Sequence, residues 1–340
     1  MKIYYKTLAF SLVPLKGQYS VEDCFQIYPC NYPDAPSSTE ATTYPLMLEY
    51  AFNDPFYGLK PKPEELEEAN ESLKRQVDWG ICLKRLLSST TNYHFFDTAC
   101  LTDGMWGIQS GLLETESFTS TWVTEGYMSP YLLADLFKES NKPTARDEYE
   151  APIMKFINEG SEYYHNYYLT PSPQTKEEIC LPECLPDVIK AYQNLNIDKK
   201  RLIDGVTQLI CNGIEILGKM KSLSFLSFVS AIETLANLEY PEKPNRCTAC
   251  GQPQFKVSRK FRDFLLKYVS SEPKYKKLFD KIYSQRSSIA HTGALLLGDA
   301  YLDWGNFEDR EARHILQLQT MQFARLSLVN WLLSQNTQKS

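Results

Sequence analysis

The pattern of apolar and polar positions divides the chain into two parts. In the first, short apolar stretches rich in aromatic and β-branched residues alternate with turns, and residues 3–14 are typical of a first strand. Pro61 and Pro63, followed by acidic residues, indicate a helix start. We expect this helix to continue to about Leu87, with a break at Gly80. The pattern therefore predicts a mixed α/β domain over residues 1–178.

Beyond a proline-rich stretch at residues 170–186, the spacing becomes helical. Apolar residues recur every three or four positions over residues 198–220, and residues 222–237 are apolar nearly all round. The second pattern is typical of a buried central helix. Further helices are predicted at residues 187–195, 258–269, 273–285 and 309–334. The fold class expected is α+β, with an all-α bundle over residues 185–336 after the mixed domain.

Composition limits the class of protein. A chain of 340 residues with 43% hydrophobic residues is long enough for two globular domains. No run of eighteen apolar residues occurs, so no membrane span is expected. Nine cysteines, an odd and scattered set, fit a reducing compartment better than a disulfide framework. The sequence therefore predicts a cytoplasmic protein with no membrane partner.

Positive charge is concentrated in one segment. Residues 242–286 hold twelve Lys or Arg and four Asp or Glu, a balance of +8 in a chain whose net charge is −6. Such an asymmetry indicates a site for a polyanion, and Lys277 and Lys281 are the candidate substrate-binding residues, with Tyr283 beside them. The alternative is a solvated helix face whose counter-charges come from elsewhere in the fold.

The segment that follows combines two side chains suited to phosphodiester chemistry. Arg286 can hold a phosphate without losing its charge, and His291 can give or take a proton near neutral pH. Both are candidate catalytic residues. The alternative is a hydrogen-bonded pair that only braces the end of a helix. Glu233 is the one charge in the central helix, so it needs a partner: a nearby Lys or Arg, or the active site itself.

Two pairs of cysteines have metal-ligand spacing. Cys247 and Cys250 lie in an insertion at residues 240–256, and Cys180 and Cys184 precede the first helix of the bundle. Four thiolates could hold a structural zinc if the two pairs meet. A knuckle reduced to two thiols and a redox pair remain as alternatives.

Three stretches resemble the HEPN superfamily, in particular its abortive-infection-like branch with Apea-like HEPN domains. They are residues 228–235 (Phe-Val-Ser-Ala-Ile-Glu-Thr-Leu), residues 247–257 and residues 282–293 (Ile-Tyr-Ser-Gln-Arg-Ser-Ser-Ile-Ala-His-Thr-Gly). The third carries an Arg-x4-His signature at the minimum spacing, preceded by a tyrosine. Ser287 stands after the arginine, where the family often has Asn, Asp or His, and is assigned a supporting role with Glu233.

The resemblance implies a metal-independent endoribonuclease, with no cofactor for catalysis, that acts in defence or stress. The 2′-hydroxyl of the RNA would attack the adjacent phosphate, with His291 as general acid/base and Arg286 neutralising charge. It also implies a homodimer through the helical domain. Residues 1–178 carry no such resemblance, and we expect them to act as a sensor or regulator of the helical domain, with a partner. Two alternatives stay open: a non-catalytic HEPN-fold module that binds RNA, nucleotides or proteins, and an activity in the N-terminal half.

Overall fold

The computed structural model describes residues 2–21, 24–30, 44–56, 59–96, 131–133, 153–154, 164, 179, 181–241, 245–246, 253–254, 257–296, 299 and 307–337. The chain forms two compact units. The first comprises residues 1–87, 93–153 and 169–181, and the second comprises residues 88–92, 154–168 and 182–340. The main change from one unit to the other thus falls between Leu181 and Pro182, and two short segments from earlier in the chain belong to the second unit.

An antiparallel sheet forms the first unit's framework, with strand order β2-β3-β4-β1-β5. Its strands are β1 Lys2–Ser11, β2 Tyr19–Val21, β3 Phe25–Pro29, β4 Tyr44–Asn53 and β5 Tyr131–Leu133. β1 and β4 pair along their whole length, from Lys2 opposite Asn53 to Ser11 opposite Tyr44. The predicted first strand is present but ends at Ser11. Residues 106–108 and 118–124, whose aromatic and β-branched residues also predict strands, lie outside the described residues.

A long helix follows the sheet strands in the sequence. A 3-10 turn at Pro63–Glu65 leads into α1, Leu66–Thr90. The predicted break at Gly80 is wrong, because the helix runs through it. A glycine inside a helix costs only about 1 kcal/mol. Burial of Leu83 and its apolar neighbours, which are 0% exposed, outweighs that cost.

Six helices make up most of the second unit's described residues. They are α2 Leu185–Gln193, α3 Ile197–Glu215, α4 Lys221–Glu239, α5 Val257–Tyr268, α6 Pro273–Thr292 and α7 Phe307–Thr337. α4 contacts α3, α5, α6 and α7, as its nearly continuous apolar sequence predicts. The short strands β6 Ile153–Met154, β7 Leu181–Pro182, β8 Asn245–Arg246 and β9 Pro253–Gln254 complete the described elements, and β8 pairs with β9.

One close approach fixes α3 against α4. A Cβ on Gly213 would lie 2.6 Å from the Phe228 ring, so only glycine fits there. The hydroxyl of Ser224 donates to the Gly213 carbonyl at 2.7 Å.

The end of α1 belongs to the helical unit. Residues 88–91 are fully buried there, and Arg325 of α7, 0% exposed, donates from Nη2 to the Ser88 carbonyl at 3.2 Å. Gln322 Nε2 donates to Asn92 Oδ1 at 3.0 Å, and the Tyr164 hydroxyl donates to the Thr90 carbonyl at 2.6 Å. The last carbonyls of a helix lack partners within the helix. Side chains of the second unit therefore cap α1.

Among the described helices, none combines the length and the apolar character that crossing a membrane requires.

Candidate nucleic-acid interface

α6 presents two different faces. Its core-facing positions repeat every three or four residues, with Phe279 and Ile282 at 0% and Ile289 at 6% exposure. Arg286 occupies the same series, between Ile282 and Ile289. The side of α6 that lies roughly opposite the core carries Lys277, Lys281, Ser284, Ser288 and His291. Because successive residues are rotated by about 100° around the helix axis, these five fall within one narrow sector of the helix surface. We call these five residues the α6 stripe. Four of them are exposed and Ser288 is half-buried.

Arg286 is the partner of Glu233. Its Nη2 donates to Oε2 of Glu233 at 3.1 Å, and the two side chains are 25% and 13% exposed. The guanidinium also lies 5.9 Å from the centre of the Tyr283 ring. A core-facing charge requires such a partner. Of the two roles that the sequence left open for Glu233, the structure shows the ion pair with a nearby arginine.

Tyr283 lies beside this ion pair. The Tyr283 ring packs on Phe261, with 5.4 Å between ring centres. Burial, and after it the charge of Glu233, raises the pKa of the Tyr283 hydroxyl, while Arg286 lowers it. The phenol is therefore neutral at physiological pH. Glu233 Oε1 is buried without a hydrogen-bond partner among the described residues.

His291 lies away from this cluster. It is exposed in the last turn of α6, which ends at Gly293 with φ of 67° and a bond from the Gly293 N–H to the Ile289 carbonyl. Five residues place it about 140° around the helix axis from Arg286. The prediction that this helix ends at Gln285 is wrong, because α6 continues to Thr292. Within one chain, Arg286 and His291 face different directions.

The positive charge of residues 242–286 is partly compensated. Five of the described cations there pair with carboxylates: Arg286 with Glu233 at 3.1 Å, Arg259 with Asp263 at 3.3 Å, Arg262 with Asp280 at 3.0 Å, Lys267 with Glu239 at 2.5 Å and Lys274 with Glu272 at 2.6 Å. Lys277 and Lys281 have no acidic partner among the residues that the structure describes, and neither has Lys276 beside them. Among the described side chains of this segment, α6 thus carries three lysines without an acidic partner, and two of them lie on its stripe.

The turn after α6 is fixed to the start of α4. The Leu296 N–H donates to Ser222 Oγ at 2.8 Å. The carboxylate of Asp299 accepts from the N–H groups of Lys221 and Ser222 at 2.7 and 2.6 Å. These bonds hold the His291 end of the stripe in place. Asp299 was not among the residues singled out from the sequence, since nothing in the local sequence links it to a helix that begins 78 residues earlier.

Ser287 lies beside Arg286 in the chain. It is half-buried, and its hydroxyl makes no hydrogen bond to any residue within the described ranges. The structure does not connect Ser287 to Arg286 or to His291.

Of the four cysteines proposed as zinc ligands, only Cys184 lies among the described residues. It is half-buried at the start of α2, and burial raises the pKa of its thiol to about 12. The thiol is therefore neutral unless a metal binds. Cys180, Cys247 and Cys250 lie outside the described residues, and the zinc site stays a prediction. Where side chains are described, no three His, Cys, Asp or Glu residues are grouped as metal ligands.

No protein-family model matches the sequence, and neither the curated proteins nor the solved structures contain a match. The structural class of the protein is therefore taken from its own secondary structure and topology. It is an α+β protein in which a small antiparallel sheet precedes a predominantly helical unit.

Proposed function

We propose that this is an RNA-binding protein whose contact surface is the α6 stripe. The observation that supports it is the pair Lys277 and Lys281, exposed and without carboxylate partners, in line with His291. Arg262 and Lys274 nearby are paired with carboxylates, whereas these two lysines are able to replace counterions on a phosphate backbone.

The rest of the chain limits the extent of this contact. A net charge of −6 repels a polyanion over most of the surface. Binding is therefore expected to be local and strongly dependent on salt. Each lysine that neutralises a phosphate adds about 0.7 to 0.9 to the slope of log K against log salt concentration.

The test is a titration of labelled RNA with the full chain, followed by fluorescence anisotropy at several salt concentrations. Lys277→Gln/Lys281→Gln is expected to weaken binding about tenfold or more and to reduce the magnitude of the salt slope by about 1.4 to 1.8. Lys190→Gln/Lys219→Gln is the matched control, because it removes the same charge from two exposed lysines on other segments. Equal loss in both variants would refute a role for the stripe.

A second candidate is a metal-independent endoribonuclease with His291 as the general acid/base. The observation that favours it is the exposure of His291 at one end of the stripe, where a bound backbone would pass the imidazole. The 2′-hydroxyl oxygen would form the new P–O bond as its proton leaves. The 5′-oxygen would depart with a proton, leaving a cyclic phosphate and a 5′-hydroxyl.

In this candidate, Arg286 does not serve the His291 of its own chain, because the two residues face different directions around α6. A composite site across a homodimer, in which a second copy supplies the charge, remains part of the proposal. A regulatory partner for the N-terminal unit is likewise proposed.

Cleavage of mixed cellular RNA in EDTA tests the second candidate. Wild type is expected to cut and His291→Ala to be inactive, while His314→Ala, which removes another exposed histidine, should retain activity. Arg286→Ala should be inactive too, with its folding checked by circular dichroism. Equal activity of wild type and His291→Ala would end the catalytic proposal and leave the binding proposal intact.

A further inference from the structure

Between Lys277 and Ser288 the α6 stripe offers cations and hydroxyls but no aromatic ring, and the imidazole of His291 stands at its end. The phenyl and phenol rings of α6 pack inside the helical unit. Tyr275 stacks on Phe279 at 6.0 Å, Phe279 contacts Phe323 at 5.5 Å, and Tyr283 lies 5.4 Å from Phe261. None of the three is in line with Lys277 and His291. A base that reached the stripe between Lys277 and Ser288 would therefore find no ring on α6 on which to stack.

This composition distinguishes two kinds of RNA. Proteins that bind single strands combine a basic groove with aromatic rings, and each stacked base contributes about 1–3 kcal/mol. Double-stranded RNA keeps its bases stacked inside the helix. It is bound through phosphates and 2′-hydroxyls, largely by shape.

The hydroxyl groups along the stripe differ in the hydrogen bonds that they already have within the protein. Thr292 Oγ1 donates to the Ser288 carbonyl at 2.6 Å and lies 3.5 Å from Ser288 Oγ, so that end has local contacts. Ser284 is exposed and makes no hydrogen bond to the described part of the chain. It stands between Lys281 and Ser288 on the stripe. Its hydroxyl is thus the group able to donate to, or accept from, a ribose 2′-hydroxyl.

The stripe is also long enough for several contacts. At about 1.5 Å per residue, about 21 Å of helix axis separates Lys277 from His291, and about 6 Å separates Lys277 from Lys281. A straight, rigid line of donors of this length suits a regular backbone better than a flexible single strand.

We propose that the stripe binds double-stranded RNA through its backbone, without preference for base sequence. Lys277 and Lys281 contact phosphates, and Ser284 contacts a 2′-hydroxyl. This inference rests on the proposed RNA-binding function and names the substrate class of that same surface.

The experiment compares four labelled probes on the full chain: an RNA duplex of about 16 base pairs, its separate strand, a duplex of scrambled sequence and the DNA duplex of the same sequence. The RNA duplexes are expected to bind equally, and about tenfold more tightly than either the single strand or the DNA. Ser284→Ala should reduce the preference for RNA over DNA. Ser258→Ala, which removes an exposed hydroxyl on α5, should leave it unchanged.

The outcomes separate this inference from the function on which it rests. Tighter binding of the single strand would overturn the duplex proposal and keep RNA binding. Equal binding of the DNA duplex would overturn the 2′-hydroxyl contact. Failure of all RNA probes to bind would refute both proposals.

Discussion

Each unit buries a basic side chain, and the two are accommodated differently. Lys84 of α1, in the first unit, is 3% exposed, and burial, with a smaller effect of Arg85, lowers its pKa to about 7. Arg325, in the second unit, is 0% exposed and donates to the Ser88 carbonyl and to Gln322 Oε1. A lysine can lose its proton on burial, whereas an arginine cannot.

The difference explains what surrounds Arg325. Because its charge persists, its site must contain acceptors, and the last carbonyls of α1 are partners that also carry the negative end of the helix dipole. Arg286 is intermediate: it is 25% exposed and is paired with one carboxylate, that of Glu233. Burial and residue type together thus determine how each basic side chain is accommodated by the fold.

The largest expected effect is at Arg325. Arg325→Ala removes the donors to Ser88 and Gln322 and leaves a cavity, so it should lower the free energy of unfolding by about 3–5 kcal/mol. Arg325→Met keeps most of the volume and should cost about 1–3 kcal/mol, for the orphaned carbonyl. Urea denaturation measures both. Arg201→Ala, on the exposed side of α3, is the control. An equally small loss of stability in Arg325→Ala and Arg201→Ala would contradict the role of Arg325 in capping α1.

Lys84 should produce a pH dependence that Arg325 cannot. Its folded pKa of about 7 lies below the value of 10.5 for a free lysine, so the unfolded chain binds more protons between these values. Stability of the first unit should therefore rise, by roughly 2–4 kcal/mol, as pH increases from 7 towards 10. Hydrogen exchange of peptides from β1 and β4, measured across this pH range, reports the change in stability of the first unit. The rise in stability should be much smaller in the Lys84→Met variant. An identical rise in the wild type and the variant would mean that other titrating groups cause it.

The ion pair between Glu233 and Arg286 should contribute less to stability than the two buried basic side chains. A double-mutant cycle with Glu233→Gln and Arg286→Met is expected to give about 1–2 kcal/mol, because solvent partly compensates a guanidinium that is 25% exposed. The matched cycle is Lys274 with Glu272, an exposed pair with side-chain exposures of 67% and 54%, for which no coupling is expected. Equal couplings would mean that the Glu233 pair is not a buried contact.

Part of the architecture could be predicted from the sequence. The helical period of the second half and the apolar character of α4 predict a bundle around a central helix, and the lone charge of Glu233 predicts a partner. The same reasoning applied to Arg325, a charge within an apolar stretch of α7, would have found that site as well. Such arguments work because burial of a charge has a large cost.

The identity of each partner could not be predicted. Arg286 was paired with His291 by proximity in sequence, but α6 continues past Gln285 and turns the two residues in different directions. Their relative orientation depends on where a helix ends, which sequence patterns locate poorly. Capping between distant segments, as by Arg325 on α1, depends on tertiary packing that no local pattern encodes.

The smallest expected effect is at Asp299. The residue before α4, Met220, makes no side-chain capping bond, and Asp299 binds the first amides of the helix in its place. Asp299→Ala should cost about 1 kcal/mol. Asp299→Asn, which keeps an acceptor and loses the charge that suits the helix dipole, should cost only about half as much. Hydrogen exchange at Lys221 and Ser222 should accelerate in the same order. Unchanged exchange in Asp299→Ala would show that other groups cap α4, and the turn after His291 would then need another anchor.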